Sequence, residues 1–447
     1  MQAVTLFISA IGSLFVLILK PPKAFAVLVA VLLFYPMFLT VQLGTLDFKA
    51  SRIVAAALLF RCLVTPGLRK RFKWNNLDKW VVFGMAVSLV IPLIAIKGPK
   101  MQILERWSGG IMDTFFTYLV ARFCITNLSS LVSAIKAIAI VFVPLAFLGI
   151  AECLTGWQPY IALTRFCPWY EAVAQKITRV GLYRATGAFG HPIRFGAGFA
   201  LFIPLIYWLR HERGYWHKLA YVLTFIVMLG VLSSMSSGPW MMAIIIIGCL
   251  ILEHFKYLIK PLIIFMISSC FLVDIISNRR FYDVLVRYVN PIGGSGWHRS
   301  RLMHLAIDHF NEWWLVGYGG LDPGWGPSLG MEWTDITNQY IVAGVRNGML
   351  GVIALYGVLA TAIYFVVRGH RAAKEPALRS LYWALGSTMV MVAISMFGCL
   401  FSAQAGVLYY GILGIIGSSL HLSNSPFSSV VLRRRRPLSI SEEAYGL

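Results

Sequence analysis

Apolar runs of about twenty residues recur through most of this chain, and no other feature limits its fold so strongly. A helix that crosses a bilayer needs roughly 20 mostly apolar residues. Within lipid, every backbone polar group must be paired inside the segment itself. By that rule spans are predicted near residues 3–19, 24–43, 52–67, 80–97, 109–126, 131–150, 194–209, 219–235, 238–253, 260–276, 348–367, 381–400 and 405–421. The third is the weakest, because it contains Arg61 and ends in Pro66-Gly67. The expected fold is all-α: a polytopic membrane protein of about 12–13 transmembrane helices, one integral-membrane domain over residues 1–447, with a large outward loop carrying short helices. Composition agrees, at 58% hydrophobic, 13% charged and a mean hydropathy of +0.74. No soluble domain needs so much apolar residue.

The net charge of +21 would suggest nucleic acid in a soluble protein. Here Lys and Arg retain loops on the cytoplasmic side instead, and no nucleic-acid partner is expected. The basic stretches Arg69–Lys73, Arg210–Lys218, His254–Lys260, Arg368–Lys374 and Arg433–Arg436 all fall on one side, which is therefore read as cytoplasmic. The 433–447 tail is expected there as an anchor and a disordered end. A retained first helix fits the N-terminus better than a signal peptide, because Lys20-Pro-Pro-Lys23 separates the apolar run from Ala24-Phe25-Ala26. The seven Cys show no CxxC and no Cys/His cluster, so no metal or cofactor is expected. Cys153 and Cys167 flank one outward loop, where a disulfide is an open alternative.

Two outward loops offer room for chemistry. In the first, 154–193, Arg165, Lys176, Arg179 and Arg184 face a single Glu171, with Arg194 just beyond. An anionic ligand such as a lipid diphosphate would account for that, since the planar guanidinium grips phosphate bidentately. So would tolerance of short basic stretches beside strongly apolar helices. Trp157, Trp169 and Tyr170 suit an aromatic belt at the headgroups. In RATGAFGHP, Arg184 and His191 are predicted at the membrane mouth beside a helix N-terminus, where backbone N–H groups favour an anion.

The second loop, 278–347, divides by charge. Residues 279–301 hold five Arg and one Asp; residues 302–335 hold five acids and no Lys or Arg. Such a split suits a site joining a phosphate-bearing donor to a neutral acceptor, and equally suits internal salt bridges. A helix is predicted from Trp297 to Trp314, with Arg301, His304 and Asp308 on one face. His304 would then be a proton shuttle. GYGG, Gly317–Gly320, opens a mobile Gly/Pro-rich stretch. Trp313 and Trp314 are candidates to pack on sugar faces.

Three pieces together resemble the O-antigen ligase and O-antigen polymerase superfamily of bacterial inner-membrane glycosyltransferases. They are RATGAFGHP at the entrance to a span, HRSRLMHLAIDHFNEWWLVGYGG in the late outward loop, and TNQYIVAGVRNGMLGVIALYGVL leading into a Gly-rich helix. The likeness runs over residues 180 to 370. It implies transfer of a glycan from an undecaprenyl-diphosphate carrier to an acceptor sugar, with the large loop in the periplasm and no metal. The partners implied are a lipid-linked oligosaccharide, a glycan or lipid acceptor, membrane lipids, and other envelope polysaccharide assembly proteins. By motif position, Arg184 and Arg299 or Arg301 hold the diphosphate. Together with His191, Asn338, Tyr340, Trp313 and Trp314 they form the expected substrate site; Arg301, His304 and Asp335 are the expected catalytic groups. Two departures stand out. The family's ligases carry His where this chain has Thr337, so Asp335 or His304 would have to serve as base. The short Ser236-Ser237-Gly238-Pro239 turn lacks the family's Arg. Both favour a polysaccharide polymerase or a divergent relative over a ligase proper. A transporter or a non-catalytic assembly protein is the alternative, and a transporter should place polar residues deep in its spans. Arg61, Asp113, Arg122 and Lys136 are the candidates for that.

Overall fold

The computed structural model describes residues 2–44, 46–95, 100–167, 178–278, 280–288 and 296–419. Trp169, Tyr170 and the 433–447 tail lie outside them. Each predicted span coincides with a helix: Gln2–Ile18, Pro21–Phe34, Ala50–Val64, Asn76–Ala95, a continuous run from Lys100 to Cys124, Leu128–Thr155, Pro192–His211, Tyr215–Ser233, Ser237–Leu252, Lys256–Ile276, Gln339–Ala372, Pro376–Ser395 and Ala403–Ser419. Among the described residues, 7 helices are long and apolar enough to cross a membrane, and three apolar ones, Gln2–Ile18, Pro21–Phe34 and Ser237–Leu252, are shorter. The difference from the 12–13 expected has a local cause. Apolar windows take in residues that leave the helix: the 24–43 window stops being helical at Phe34 and ends in a hairpin strand, Thr40–Leu43, paired with Leu46–Lys49.

Helix Pro192–His211 is the centre of the bundle, with 83% of its apolar window buried. It approaches its neighbours through glycines. A Cβ on Gly230 would lie 2.4 Å from the Phe199 ring, and one on Gly149 2.6 Å from the Phe195 ring. Close backbone approach at small residues is how helices associate where lipid offers no hydrophobic drive. On the other flank Gly357 receives the Trp80 ring, which locks helix Asn76–Ala95 to helix Gln339–Ala372.

Connections alternate between two ends of the bundle. Among the described residues, one end holds the Thr40–Lys49 hairpin and segments 156–167, 178–191, 234–236, 280–288 and 296–338; here it is called the loop end. The opposite end holds 65–75, 212–214 and 373–375. The basic stretches Arg69–Lys73, Arg210–Lys218, His254–Lys260 and Arg368–Lys374 lie at that opposite end, and Arg433–Arg436 lies outside the described residues. There Arg122, 5% exposed, pairs with the wholly buried Asp78 through Nε at 3.0 Å and Nη2 at 3.0 Å. Tyr118 donates to the same carboxylate, and Arg122 also reaches the carbonyls of Lys73 and Gly417. Arg61 donates to the carbonyls of Val16 and Leu19, and Lys136 pairs with Glu212. Asp113 is held by Arg52 and Lys49. The four in-span polar residues are thus each paired within the bundle. Asp113 sits in a π turn, Ile111–Phe115, that interrupts the helix running from Lys100 to Cys124.

The late loop builds a small core of its own from Leu302, Leu305, Ala306, Trp313, Trp325, Leu329 and Val345. It is clamped to helix Gln339–Ala372, which breaks at Asn347-Gly348. Tyr318 N donates to Val345 O at 2.6 Å, and Met349 N to Trp314 O at 2.7 Å. The GYGG turn, predicted mobile, is docked. Gly317 has φ +63°, and a Cβ there would meet Val345 O at 2.6 Å. Gly317 permits contact rather than motion.

Candidate functional site

The RATGAFGHP segment folds as a compact turn hung from one buried carboxylate. Glu152, near the end of helix Leu128–Thr155, accepts from Thr186 N at 2.7 Å and Gly187 N at 3.0 Å. Gln158 donates to Arg184 O, Ala185 N to Ser233 O, and Gln404 to Ala188 O. Gly187 and Gly190 take positive φ of 48° and 64°, conformations that cost a side chain strain. Glu152 escaped the sequence reading. Its signal was a lone acid closing an otherwise apolar span.

His191 closes the turn as a helix cap, its Nδ1 accepting from Ile193 N at 3.2 Å. That requires a neutral ring. Burial pushes its pKa down to about 4, and the charges of Arg194 and Arg184 add to the shift. Only Nε2–H is left to face a ligand.

Arg184 stands on this turn and donates from Nη2 to Ser236 Oγ at 2.8 Å. Its Nε is buried and has no hydrogen-bond partner among the described residues. Burial, helped by Arg179, pulls its pKa to about 10, so it stays charged at neutral pH. Two residues beyond Ser236, a Cβ on Gly238 would lie 2.4 Å from Cys399 Sγ. On the next residue, Gly398, a Cβ would lie 3.4 Å from the Arg299 guanidinium carbon. Arg299 Nε is likewise buried without a partner among the described residues. Each loop thus places one arginine beside the contact between Ser236–Gly238 and Gly398–Cys399, Arg184 on the Ser236 side and Arg299 on the Gly398 side. Arg301, two residues along the Gly296–Asp308 helix, faces the other way and is exposed. A step of two residues turns an α-helix by roughly 200°.

Arg301, His304 and Asp308 share one side of the Gly296–Asp308 helix, but no hydrogen bond or ion pair joins them among the described residues. Asp308 is exposed. His304 instead meets Asp283, from the Phe281–Tyr288 helix, at 3.1 Å, with Ser300 donating to the same carboxylate. His304 remains 39% exposed, a histidine oriented by an acid and open to solvent. Asp283 was missed because its partner is a turn of helix in another element, which spacing along the sequence does not register.

Other expected residues turn inward. Asn338 is the N-cap of helix Gln339–Ala372, its Oδ1 accepting from Tyr340 N and Ile341 N. The Tyr340 hydroxyl donates to Ala393 O, and its ring stacks on Tyr356. Trp313 donates from Nε1 to Ala306 O and packs against Gly344. Asp335 holds the fold through its carbonyl, which accepts from His298 Nε2 at 2.8 Å, while the residue is exposed. Trp314 is 43% exposed and available to a ligand. Thr337 Oγ1 is buried without a partner among the described residues. Cys153 and Cys167 are free thiols.

Beneath the turn lies a cavity of about 450 Å³ lined by Lys49, Arg52, Arg106, Arg194, Asp47, Glu105 and Gln404, among others. Comparison with protein families and with curated proteins finds no match to this chain.

Proposed function

We propose that the chain is a membrane glycosyltransferase that moves or polymerises a glycan carried on undecaprenyl diphosphate, at the outer face of the bacterial inner membrane. What supports this reading is the pair Arg184 and Arg299, one from each outward loop, each with a buried Nε that has no hydrogen-bond partner among the described residues, on either side of the contact between Ser236–Gly238 and Gly398–Cys399. Two guanidinium groups with donors to spare suit a diphosphate.

The chemistry needs little else. The acceptor hydroxyl oxygen attacks the anomeric carbon, the bond from that carbon to the diphosphate oxygen breaks, and the diphosphate leaves with the electron pair. Charge on the leaving group is met by Arg184 and Arg299. The hydroxyl proton passes to a base, and His304 oriented by Asp283 takes the place of the missing histidine at Thr337. On the transport alternative, Arg61, Asp113, Arg122 and Lys136 are each held by a partner within the bundle, which accounts for them structurally.

The test is mass analysis of lipid-linked glycan in cells whose only copy carries Arg184→Ala or Arg299→Ala. Accumulated single repeat units identify a polymerase and accumulated long chains a ligase. Normal surface glycan from a normally inserted variant sinks the proposal. Arg301→Ala serves as the comparison and should be milder than Arg299→Ala.

A further inference from the structure

A second cavity, of about 520 Å³, lies deeper in the bundle between helices Asn76–Ala95, Lys100–Cys124, Gln339–Ala372 and Ala403–Ser419. Its lining changes along its length. Val81, Met85, Ile111, Ala354, Leu355 and Val358 make an apolar half. Arg106, Arg346, Gln339 and Asn347 make a polar half beside the Gly319-Gly320 turn. Among the described residues no carboxylate lines this cavity, and neither arginine takes part in an ion pair. Both arginines are exposed, so the polar half is open. Arg346 is carried on the short helical piece before the Asn347-Gly348 break, which turns it away from the course of the spanning helix beyond.

Two cations that share an acid-free cavity repel each other until an anion joins them. A soluble anion would leave the apolar half in contact with water, and an uncharged lipid would leave the arginines unmatched. A molecule with a phosphate head and a hydrocarbon tail satisfies both halves. We infer that this cavity binds a phosphate-bearing lipid, with Arg106 and Arg346 on the phosphate and the tail along the Asn76–Ala95 and Gln339–Ala372 helices. The site is separate from the Arg184–Arg299 pair and stands whether or not that pair serves glycan transfer. Arg106 also lines the 450 Å³ cavity beneath the RATGAFGHP turn. That cavity holds Asp47 and Glu105, so the phosphate sits on the Arg346 side of Arg106, where the lining has no carboxylate.

The test uses the purified full chain in detergent and native mass spectrometry with three probes: dioleoyl phosphatidic acid, dioleoyl phosphatidylcholine and inorganic pyrophosphate. The wild type should retain phosphatidic acid at least about tenfold more than phosphatidylcholine. Arg106→Gln and Arg346→Gln should each abolish most of that preference, as expected for loss of a charge-assisted bond. Arg346→Lys should keep part of it and shows that the position tolerates change. Arg371→Gln, exposed at the far end of the Gln339–Ala372 helix and outside both cavities, should leave it intact. Equal retention of the two lipids by the wild type overturns the inference, as does a preference that survives both glutamine variants. Pyrophosphate held as tightly as phosphatidic acid would mean a soluble anion is the ligand and would overturn the lipid assignment. If a glutamine variant does not fold, the wild-type comparison of the three probes still decides the matter.

Discussion

Gly348→Ala isolates the clamp between the late loop and the bundle. Gly348 has φ +63° and ψ −164°, a region essentially reserved for glycine, where a side chain costs about 1–3 kcal/mol. The added methyl would lie 2.2 Å from Leu315 O and 2.5 Å from its carbonyl carbon. Backbone cannot yield as a side-chain tip can, so the 314–318 strip must lift. The bonds from Tyr318 N to Val345 O and from Met349 N to Trp314 O then go with it, at about 1 kcal/mol each. The combined local cost is about 3–5 kcal/mol, so the loop should open roughly 100-fold more often or beyond. Limited proteolysis of the detergent-solubilised chain reads that population directly when opening is fast compared with cleavage. Gly320→Ala is the control. Its φ is +94°, but a Cβ there meets nothing within 4 Å, so only backbone strain of about 1 kcal/mol applies and cleavage should rise about fivefold. If Gly348→Ala is cut within threefold of the wild-type rate, or if Gly320→Ala matches it, the clamp is not what holds the loop.

Other expectations are briefer. Glu152→Ala removes the acceptor for Thr186 N and Gly187 N and should lower stability by about 3 kcal/mol or more; Glu152→Gln keeps a carbonyl oxygen and should cost far less, as thermal unfolding in detergent will show. His191 resists protonation in the fold while the unfolded chain takes up a proton near its ordinary value. Stability should therefore fall as pH drops from about 6.5 towards 4, by up to roughly 3 kcal/mol, and His191→Asn, which can still cap, should flatten that slope in melting curves taken across the range. Arg122→Met strands Asp78 in the bundle and should cost about 3–5 kcal/mol; pairing it with Asp78→Leu should recover much of the loss in a double-mutant cycle. His304→Gln and Asp283→Asn should each slow glycan transfer without changing binding of the lipid-linked donor, measured by turnover against donor retention.

The helices were legible because each apolar run had to find a helix in lipid, whatever it packed against. Helix ends were less so: the sequence stays largely apolar past Phe34 through Leu39, yet the chain leaves the helix after Phe34 and is a strand by Thr40. Within the site, burial rather than residue type separated Arg299 from Arg301, and a two-residue step on a helix is invisible to a motif. Asn338, Tyr340 and Trp313 looked like ligand residues because polar and aromatic side chains serve binding and folding alike. Here they cap a helix, donate to a carbonyl and fill a small core. Arg106 and Arg346 drew no notice in the sequence. They lie 240 residues apart, and only the packing of both their helices against Asn76–Ala95, through Trp107 to Met85 and Trp80 to Gly357, gives them a common space.

The π turn at Ile111–Phe115 has a consequence for that space. A π turn carries one residue more than the α turn it replaces, and it absorbs that residue locally, so the two halves of the helix keep a common phase across it. Removing one residue within Ile111–Phe115 should therefore leave both the Arg122 salt bridge and the Arg106 guanidinium in place. The same deletion in the regular helix before it would rotate the residues on its N-terminal side by roughly 100° and carry Arg106 out of both cavities. Where a residue is lost, not how many are lost, decides whether that binding space survives.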